Sequence, residues 1–200
     1  MDIIVIGGGA SGLMVAGMCA KDGHNVTLLE KNEKLGKKLY ITGKGRCNVT
    51  NLCDNTTFLN NVVTNSKFLY SAIYGFSPYD TMDFIEQNGC KLKVERGNRV
   101  FPESDKSSDI IKVFSTFCIN NSVDIRLNEE VCECYKNKDK FVTKTLHNKY
   151  ESDIVVICTG GMSYKATGSD GFGYKLASRF GHTIVEPVSA LCPIKLKDNF

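Results

Sequence analysis

The chain has 200 residues, with 25 Lys and Arg against 22 Asp and Glu and a formal charge of +3. That length supports one domain with a core of its own, and a near-balanced charge without like-charged blocks, its basic cluster at Lys34, Lys37, Lys38 and Lys44 being local, implies no nucleic-acid or membrane partner. No apolar run approaches a membrane span, and Asp2 followed by the short run Ile3-Ile4-Val5-Ile6 lacks the pattern of a secretory leader.

In chain order, the strand Asp2–Ile6 runs directly into Gly7-Gly8-Gly9-Ala10-Ser11-Gly12, a Gly-x-Gly-x-x-Gly sequence. A helix follows from Leu13 to Lys21, with Gly23 as its stop, and a second strand, Val26–Leu29, ends at the acid Glu30. Each part has its own work in holding a dinucleotide. Gly7 allows the tight turn, Gly9 lets backbone approach a pyrophosphate, and Gly12 lets helix and strand pack closely. The free N–H groups at the helix start, around Ala10 and Ser11, attract phosphate. Glu30 is placed to accept hydrogen bonds from ribose hydroxyls.

Lys31 to Asn55 is expected to be a long loop, too rich in Gly, Lys and Asn for regular structure, and loops of this length are usually functional. A helix is predicted from about Ser66 to Tyr74. A second starts with Ser77 as its cap and Pro78 at its first position, and stops at Gly89. Strands at Lys91–Glu95 and Val100–Phe101 flank Gly97-Asn98. Ser108 or Asp109 caps a helix through Phe117, and Val123–Leu127 reads as a buried strand. Val131–Tyr135 and Phe141–Leu146 flank the hairpin signal Asn137-Lys138-Asp139. The continuous apolar run Asp153–Cys158 reads as a fully buried strand that ends in Thr159-Gly160-Gly161. Ser169-Asp170 starts a last helix through Phe180, stopped by Gly181.

The 9 cysteines never occur as Cys-x-x-Cys, so zinc and thioredoxin-type motifs are absent and no metal is expected. Cys19, Cys118 and Cys158 sit in apolar segments as small core residues. Cys132 and Cys134 alternate along one strand and are expected on one face, a poor geometry for a disulfide. An odd count without a leader favours a reducing, cytoplasmic setting. The Asn-x-Ser/Thr triplets at Asn25, Asn48, Asn55 and Asn120 then carry no meaning. His24, His147 and His182 fall in no metal or triad pattern.

A Rossmann unit, an inserted helical and β portion (about residues 60–125), a hairpin and a return to a parallel strand resemble the glutathione-reductase-type FAD fold. There an antiparallel sheet crosses over the parallel one. The strand end Cys158-Thr159-Gly160-Gly161 resembles that fold's second FAD motif. The segment Gly36-Lys37-Lys38-Leu39-Tyr40-Ile41-Thr42-Gly43-Lys44-Gly45-Arg46-Cys47-Asn48-Val49-Thr50-Asn51 is similar to the signature of the BaiN-type flavoproteins, the aminoacetone-oxidase family. Gly97-Asn98-Arg99-Val100-Phe101-Pro102 and Gly160-Gly161-Met162-Ser163-Tyr164-Lys165-Ala166-Thr167-Gly168-Ser169-Asp170-Gly171 match two further segments of that family, with Lys165 where a Pro is usual.

The resemblance implies an α/β, Rossmann-like FAD-binding domain over residues 1–190, with residues 191–200 beginning a second, substrate-side domain, so that the chain is apparently truncated. Its cofactor would be FAD, with NAD(P)H as electron donor, a small organic molecule as substrate, and no nucleic-acid or membrane partner. A missing C-terminal half would be supplied by a longer chain. Lys37, Lys38 and Arg46 would put cations near the pyrophosphate, and Gly43 and Gly45 would shape an anion-binding concavity. Asn48 would add neutral hydrogen bonds. Gly168, Ser169 and Asp170 would bring a helix start to the same crevice. Lys31, Thr42, Val131, Thr159, Gly160 and Gly161 complete the expected cofactor set. Cys47, beside Arg46, and Tyr164 are weak catalytic candidates; Cys47, without a resolving cysteine or base at motif spacing, reads first as a small packing residue, and Tyr164 is equally a core aromatic. An NAD-only dehydrogenase would leave the Arg46 segment and Thr159-Gly160-Gly161 unexplained. A flavin-binding protein without turnover is the non-enzyme alternative, and RNA modification finds little support in the charge.

Overall fold

The structure, a computed structural model, describes residues 1–188; the expected second-domain start at 191–200 lies outside the described residues. Strand β1 (Asp2–Ile6), helix α1 (Ala10–Lys21) and strand β2 (Asn25–Glu30) form the opening unit. Helix α2 (Lys37–Ile41), strand β3 (Thr50–Asn51) and helices α3 (Asn55–Asn60), α4 (Tyr70–Gly75) and α5 (Pro78–Gln87) follow. Next come β4 (Leu92–Glu95), β5 (Arg99–Pro102), α6 (Ser107–Asn120) and β6 (Asp124–Leu127). The chain then adds β7 (Val131–Asn137), β8 (Lys140–Thr145), β9 (Lys149–Ser152), β10 (Ile154–Ile157) and α7 (Phe172–Arg179).

A parallel sheet in the order β10-β1-β2-β6 is the platform, with Ile3 opposite Ile154 on one side and Val26 on the other. Side chains alternate across a strand, so β1 feeds two layers. Ile3 and Val5 pack with Leu13, Ala16, Val26, Leu28 and Cys118 beneath α1 and α6. Ile4 and Ile6 pack with Leu29, Val131, Cys134 and Leu176 beneath the antiparallel sheet β7-β8-β9 and α7. β1 is therefore apolar on both faces, as a covered parallel strand must be. A third core, around Cys47, Ile85, Cys90, Ile110 and Val113, fills the segment between β2 and β6. There β3, β5 and β4 form a small antiparallel sheet.

The fold is the α/β Rossmann type with an antiparallel crossover sheet, as expected. The details differ in physically readable ways. Residues 31–55 are not a bare loop: α2, a 3₁₀ turn (Thr42–Gly45) and β3 form within them. The glycines that discourage regular structure sit at positive φ (Gly36 67°, Gly43 55°), where they delimit short elements instead. The helix expected at 66–74 divides into a 3₁₀ turn (Ser66–Leu69) and α4. α5 carries the expected cap: Ser77 Oγ accepts from Asp80 N–H at 3.2 Å and Asp80 Oδ2 accepts from Ser77 N–H at 2.7 Å.

α6 begins at Ser107 after Lys106, without a side-chain cap, and runs to Asn120. Ser107 is buried and donates to Tyr40 O at 2.9 Å, so a tertiary contact anchors this helix start. α7 begins at Phe172, not at Ser169-Asp170, because Gly171 at φ 85° interposes a turn. Among the described residues, the strands expected as buried at 123–127 and 153–158 are the two sheet edges. β6 is largely exposed and Ile154 is 37% exposed. Cys132 is exposed and Cys134 buried, contrary to the shared face expected of them. The register shifts between Val131 and Glu133, and a bulge of that kind breaks the two-residue alternation.

Candidate functional site

The C-terminal ends of β10, β1 and β2 open into a crevice of about 690 Å³, the place where open parallel sheets hold ligands. Its floor is the glycine turn. A Cβ on Gly7 would lie 2.5 Å from Cys158 O, and one on Gly12 would lie 1.8 Å from Gly7 O, so both positions are closed to side chains. A Cβ on Gly9 would meet nothing within 4 Å, which leaves the backbone at the helix start open to a ligand. Gly9, Ala10 and Ser11 line the crevice; Gly12 lies beneath it.

Glu30 ends β2 in the crevice wall and is 7% exposed. Its Oε2 accepts from Gly8 N–H at 2.6 Å, and its Oε1 from Asn32 N–H at 2.8 Å and Asn32 Nδ2 at 2.5 Å. A buried carboxylate needs such donors to offset its lost hydration. Beyond Glu30, Glu129 from the link between β6 and β7, with Val131 and Cys132 at the start of β7, adds to the wall. On the other side, Thr159, Gly160, Gly168, Ser169 and Asp170 follow β10.

Lysines tie the walls together. Lys38 Nζ donates to Ser163 O at 2.8 Å and to Ser169 Oγ at 2.7 Å. Its partial burial holds its pKa below the usual lysine value. Lys31 pairs with Asp170 at 2.7 Å and, more than the opposing burial, holds that carboxyl below the usual range. Lys37 donates to Asn32 Oδ1 at 3.1 Å and pairs with Glu33 at 2.8 Å. Thr42 also lines the crevice, and its hydroxyl donates to Leu39 O at 2.7 Å.

Other expected residues lie elsewhere. The Arg46 guanidinium stacks on Phe101, 4.2 Å from the ring centre, and pairs with Glu95 and Asp105, so it braces the small sheet rather than facing the crevice. Gly43 packs on Asn48, where a Cβ would lie 2.9 Å from Asn48 N. The Asn48 amide, oriented as its neighbours require, donates to Val100 O and Thr50 O. Cys47 is buried in the third core, and burial raises its pKa, outweighing the lowering effect of the neighbouring Thr42 side chain. A thiol so placed favours packing over thiolate chemistry. Tyr164 is 72% exposed at φ 53°, and its carbonyl accepts from Thr167 in a local turn. Gly161 supports the loop by accepting from Gly171 N–H at 3.2 Å.

The expectations omitted Gly8, Asn32 and Glu129. Gly8 stands inside the glycine run that announces the site. Asn32 and Glu129 carry no motif, since their placement depends on how β2 and β6 end side by side: Glu129 N–H donates to Glu30 O at 2.9 Å and Asn128 N–H to Asn32 O at 3.1 Å. Among the described residues no group of His, Cys, Asp and Glu could hold a metal ion, and no helix is long and apolar enough to cross a membrane.

The fold and this crevice define an α/β domain of the Rossmann type with its ligand crevice at the C-terminal ends of the parallel strands. The chain belongs to the family described as HI0933-like protein Rossmann domain, which matches residues 1–190. It is 32% identical over 197 residues to a 3-dehydro-bile acid delta(4,6)-reductase of Clostridium scindens, covering 98% of this chain and 47% of that protein. It is 30% identical over 196 residues to a ribosomal RNA dihydrouridine synthase of Escherichia coli, covering 98% and 48%. The chain thus spans about half the length of these curated relatives. Among solved structures, a 3-ketosteroid-delta4-(5alpha)-dehydrogenase of Rhodococcus jostii superposes with a TM-score of 0.62 at 12% identity, covering 82% of this chain and 46% of that one. The Diels-Alderase PyrE3 superposes with a TM-score of 0.53 at 15% identity, covering 82% and 33%. At such identities the likeness is one of fold.

Proposed function

We propose that this chain binds FAD along the crevice and serves an oxidoreductase. Carrying this reading is one observation: a buried acid at the tip of β2 and an open glycine turn at the start of α1 share a crevice that continues to Thr159, Gly160 and Ser169. Glu30 would take the adenosine ribose. The amides of Gly9, Ala10 and Ser11 would take the pyrophosphate at the helix start, with Lys31, Lys37 and Lys38 adding positive charge. Thr159, Gly160, Gly168, Ser169 and Asp170 would meet the far half of the ligand, and Val131 the adenine end. Bound FAD would supply two-electron hydride chemistry, which no side chain offers. The protein's part is to bind, orient and exclude water.

A nicotinamide nucleotide is the proposed electron donor and a small unsaturated molecule the proposed acceptor. The names of both curated relatives describe saturation of a carbon–carbon double bond conjugated to a carbonyl. Uridine in RNA is a second reading, favoured by the Escherichia coli relative's name; the charge of +3 gives it no added support. A reducing, cytoplasmic setting accords with the free cysteines. The test is to identify the cofactor that copurifies, then follow NADH and NADPH oxidation with a conjugated steroid ketone and with a uridine-rich transcript. FAD with NAD(P)H oxidation coupled to the ketone supports the first reading, and coupling to the transcript alone selects the second. A colourless protein stabilised by NAD and not by FAD overturns both.

A further inference from the structure

Glu30 cannot meet a ribose alone. An ionised carboxylate has about four acceptor positions, and three N–H donors of the protein already occupy Glu30: Gly8 N on Oε2, and the backbone and side-chain nitrogens of Asn32 on Oε1. One position remains, on Oε2. A ribose diol presents two hydroxyl donors, so a second acceptor has to stand beside the acid. Asn32 lines the same crevice. Its amide orientation is fixed from both ends, because Nδ2 faces the Glu30 carboxylate while Oδ1 receives Lys37 Nζ at 3.1 Å. Turning the amide over would set oxygen against carboxylate and nitrogen against ammonium. Its backbone is held as well, with Asn32 O accepting from Asn128 N–H at 3.1 Å, and a Cβ on Gly168 would come within 3.0 Å of Nδ2. Oδ1 thus keeps one lone pair in a held orientation next to the acid.

We propose that Asn32 shares recognition of the adenosine ribose with Glu30: the carboxylate takes one hydroxyl, and the Asn32 amide oxygen, oriented by Lys37, takes the other. The inference rests on the FAD reading. Its test is calorimetric titration of the whole chain with ADP, 2′-deoxy-ADP and 3′-deoxy-ADP. The unaltered protein should bind the analogue lacking the hydroxyl on the Asn32 amide roughly three- to tenfold more weakly than ADP, the worth of one neutral hydrogen bond, and the analogue lacking the hydroxyl on the carboxylate about ten- to a hundredfold more weakly. Asn32→Ala should erase the discrimination at one hydroxyl and keep it at the other. Lys37→Met, which frees the amide but keeps its oxygen, should weaken discrimination at that same hydroxyl, and serves if Asn32→Ala does not fold. Full discrimination at both hydroxyls in either folded variant overturns the proposal. If neither FAD nor ADP binds the unaltered protein, the FAD reading itself falls; if both bind and the variants discriminate as the parent does, only the role of Asn32 falls.

Discussion

Gly12 separates packing from ligand contact at the scale of one atom. A methyl group there would stand 1.8 Å from Gly7 O, a backbone atom that cannot swing aside. Gly12→Ala should therefore destabilise the fold by about 1–3 kcal/mol or more, read as a lower melting temperature without added ligand. An unchanged melt would mean that α1 and β1 are not packed this closely. Glu30→Ala acts differently. It should weaken FAD binding on the order of ten- to a hundredfold, and it also strands the Gly8 and Asn32 donors that now point at the carboxylate. A loss of affinity with an intact melt would show that water satisfies those donors. Cys118, with its thiol pushed up to about 11 by burial, should resist alkylation in the folded protein; rapid labelling near neutral pH would contradict its place under α1.

At the level of elements, Gly17 is one of the close contacts that join α1 to α6. A Cβ there would lie 2.4 Å from Phe117 Cδ1, a ring that is 8% exposed. Gly17→Ala should cost about 1–3 kcal/mol, and Phe117→Leu should recover part of that loss when combined with it. Additive losses in the double variant would place the ring elsewhere. No motif points to this pair, since two helix faces meet only after folding. By contrast, β1, α1 and β2 were legible because the glycine run, the apolar period and the terminal acid are local signals. Ser77-Pro78 was legible for the same reason. α2 was hidden by its flanking glycines, the start of α6 by a cap that is tertiary, and the face of Cys132 by a bulge that alternation cannot foresee. Within the crevice, the glycines and Glu30 were readable, while Asn32 was not, because its partners come from β2, α2 and the β6–β7 link. Arg46 shows the converse: a cation in a basic, glycine-rich run looked like an anion ligand, and Glu95 and Asp105, far along the chain, claim it.

For the molecule as a whole, the sheet edges decide behaviour in solution. Among the described residues, β6 and β10 flank the parallel sheet, and β10 leaves Ile154 37% exposed. Unpaired strand edges invite pairing with another chain. At high concentration these 200 residues should therefore self-associate, measured as mass by light scattering, and Ile154→Lys should reduce it. A strictly monomeric parent would show that the edge is guarded. Acid should loosen the crevice as well. Asp170 has its pKa lowered chiefly by Lys31, so their attraction is complete above the usual carboxylate pKa and fades as pH falls through the lowered value. Both side chains are partly exposed, at 28% and 41%, so the effect on global stability should be small and the effect on FAD retention larger. An acid profile of retention that is the same in the parent and in Asp170→Asn would argue against the tie.

The lysine ties also bear on time. Lys38 and Lys31 fasten the segment after β10 to the wall beside β2, so a long ligand has to enter and leave between walls that are pinned together. Exchange should then be governed by how often the pins open rather than by how strongly the ligand is held. Asp170→Asn is expected to speed association and dissociation together, with much less change in their ratio, in stopped-flow mixing with FAD and in displacement by excess ligand. A variant that altered only the dissociation rate would mark Asp170 as a ligand contact and leave the residence time of the cofactor to the grip of the glycine turn.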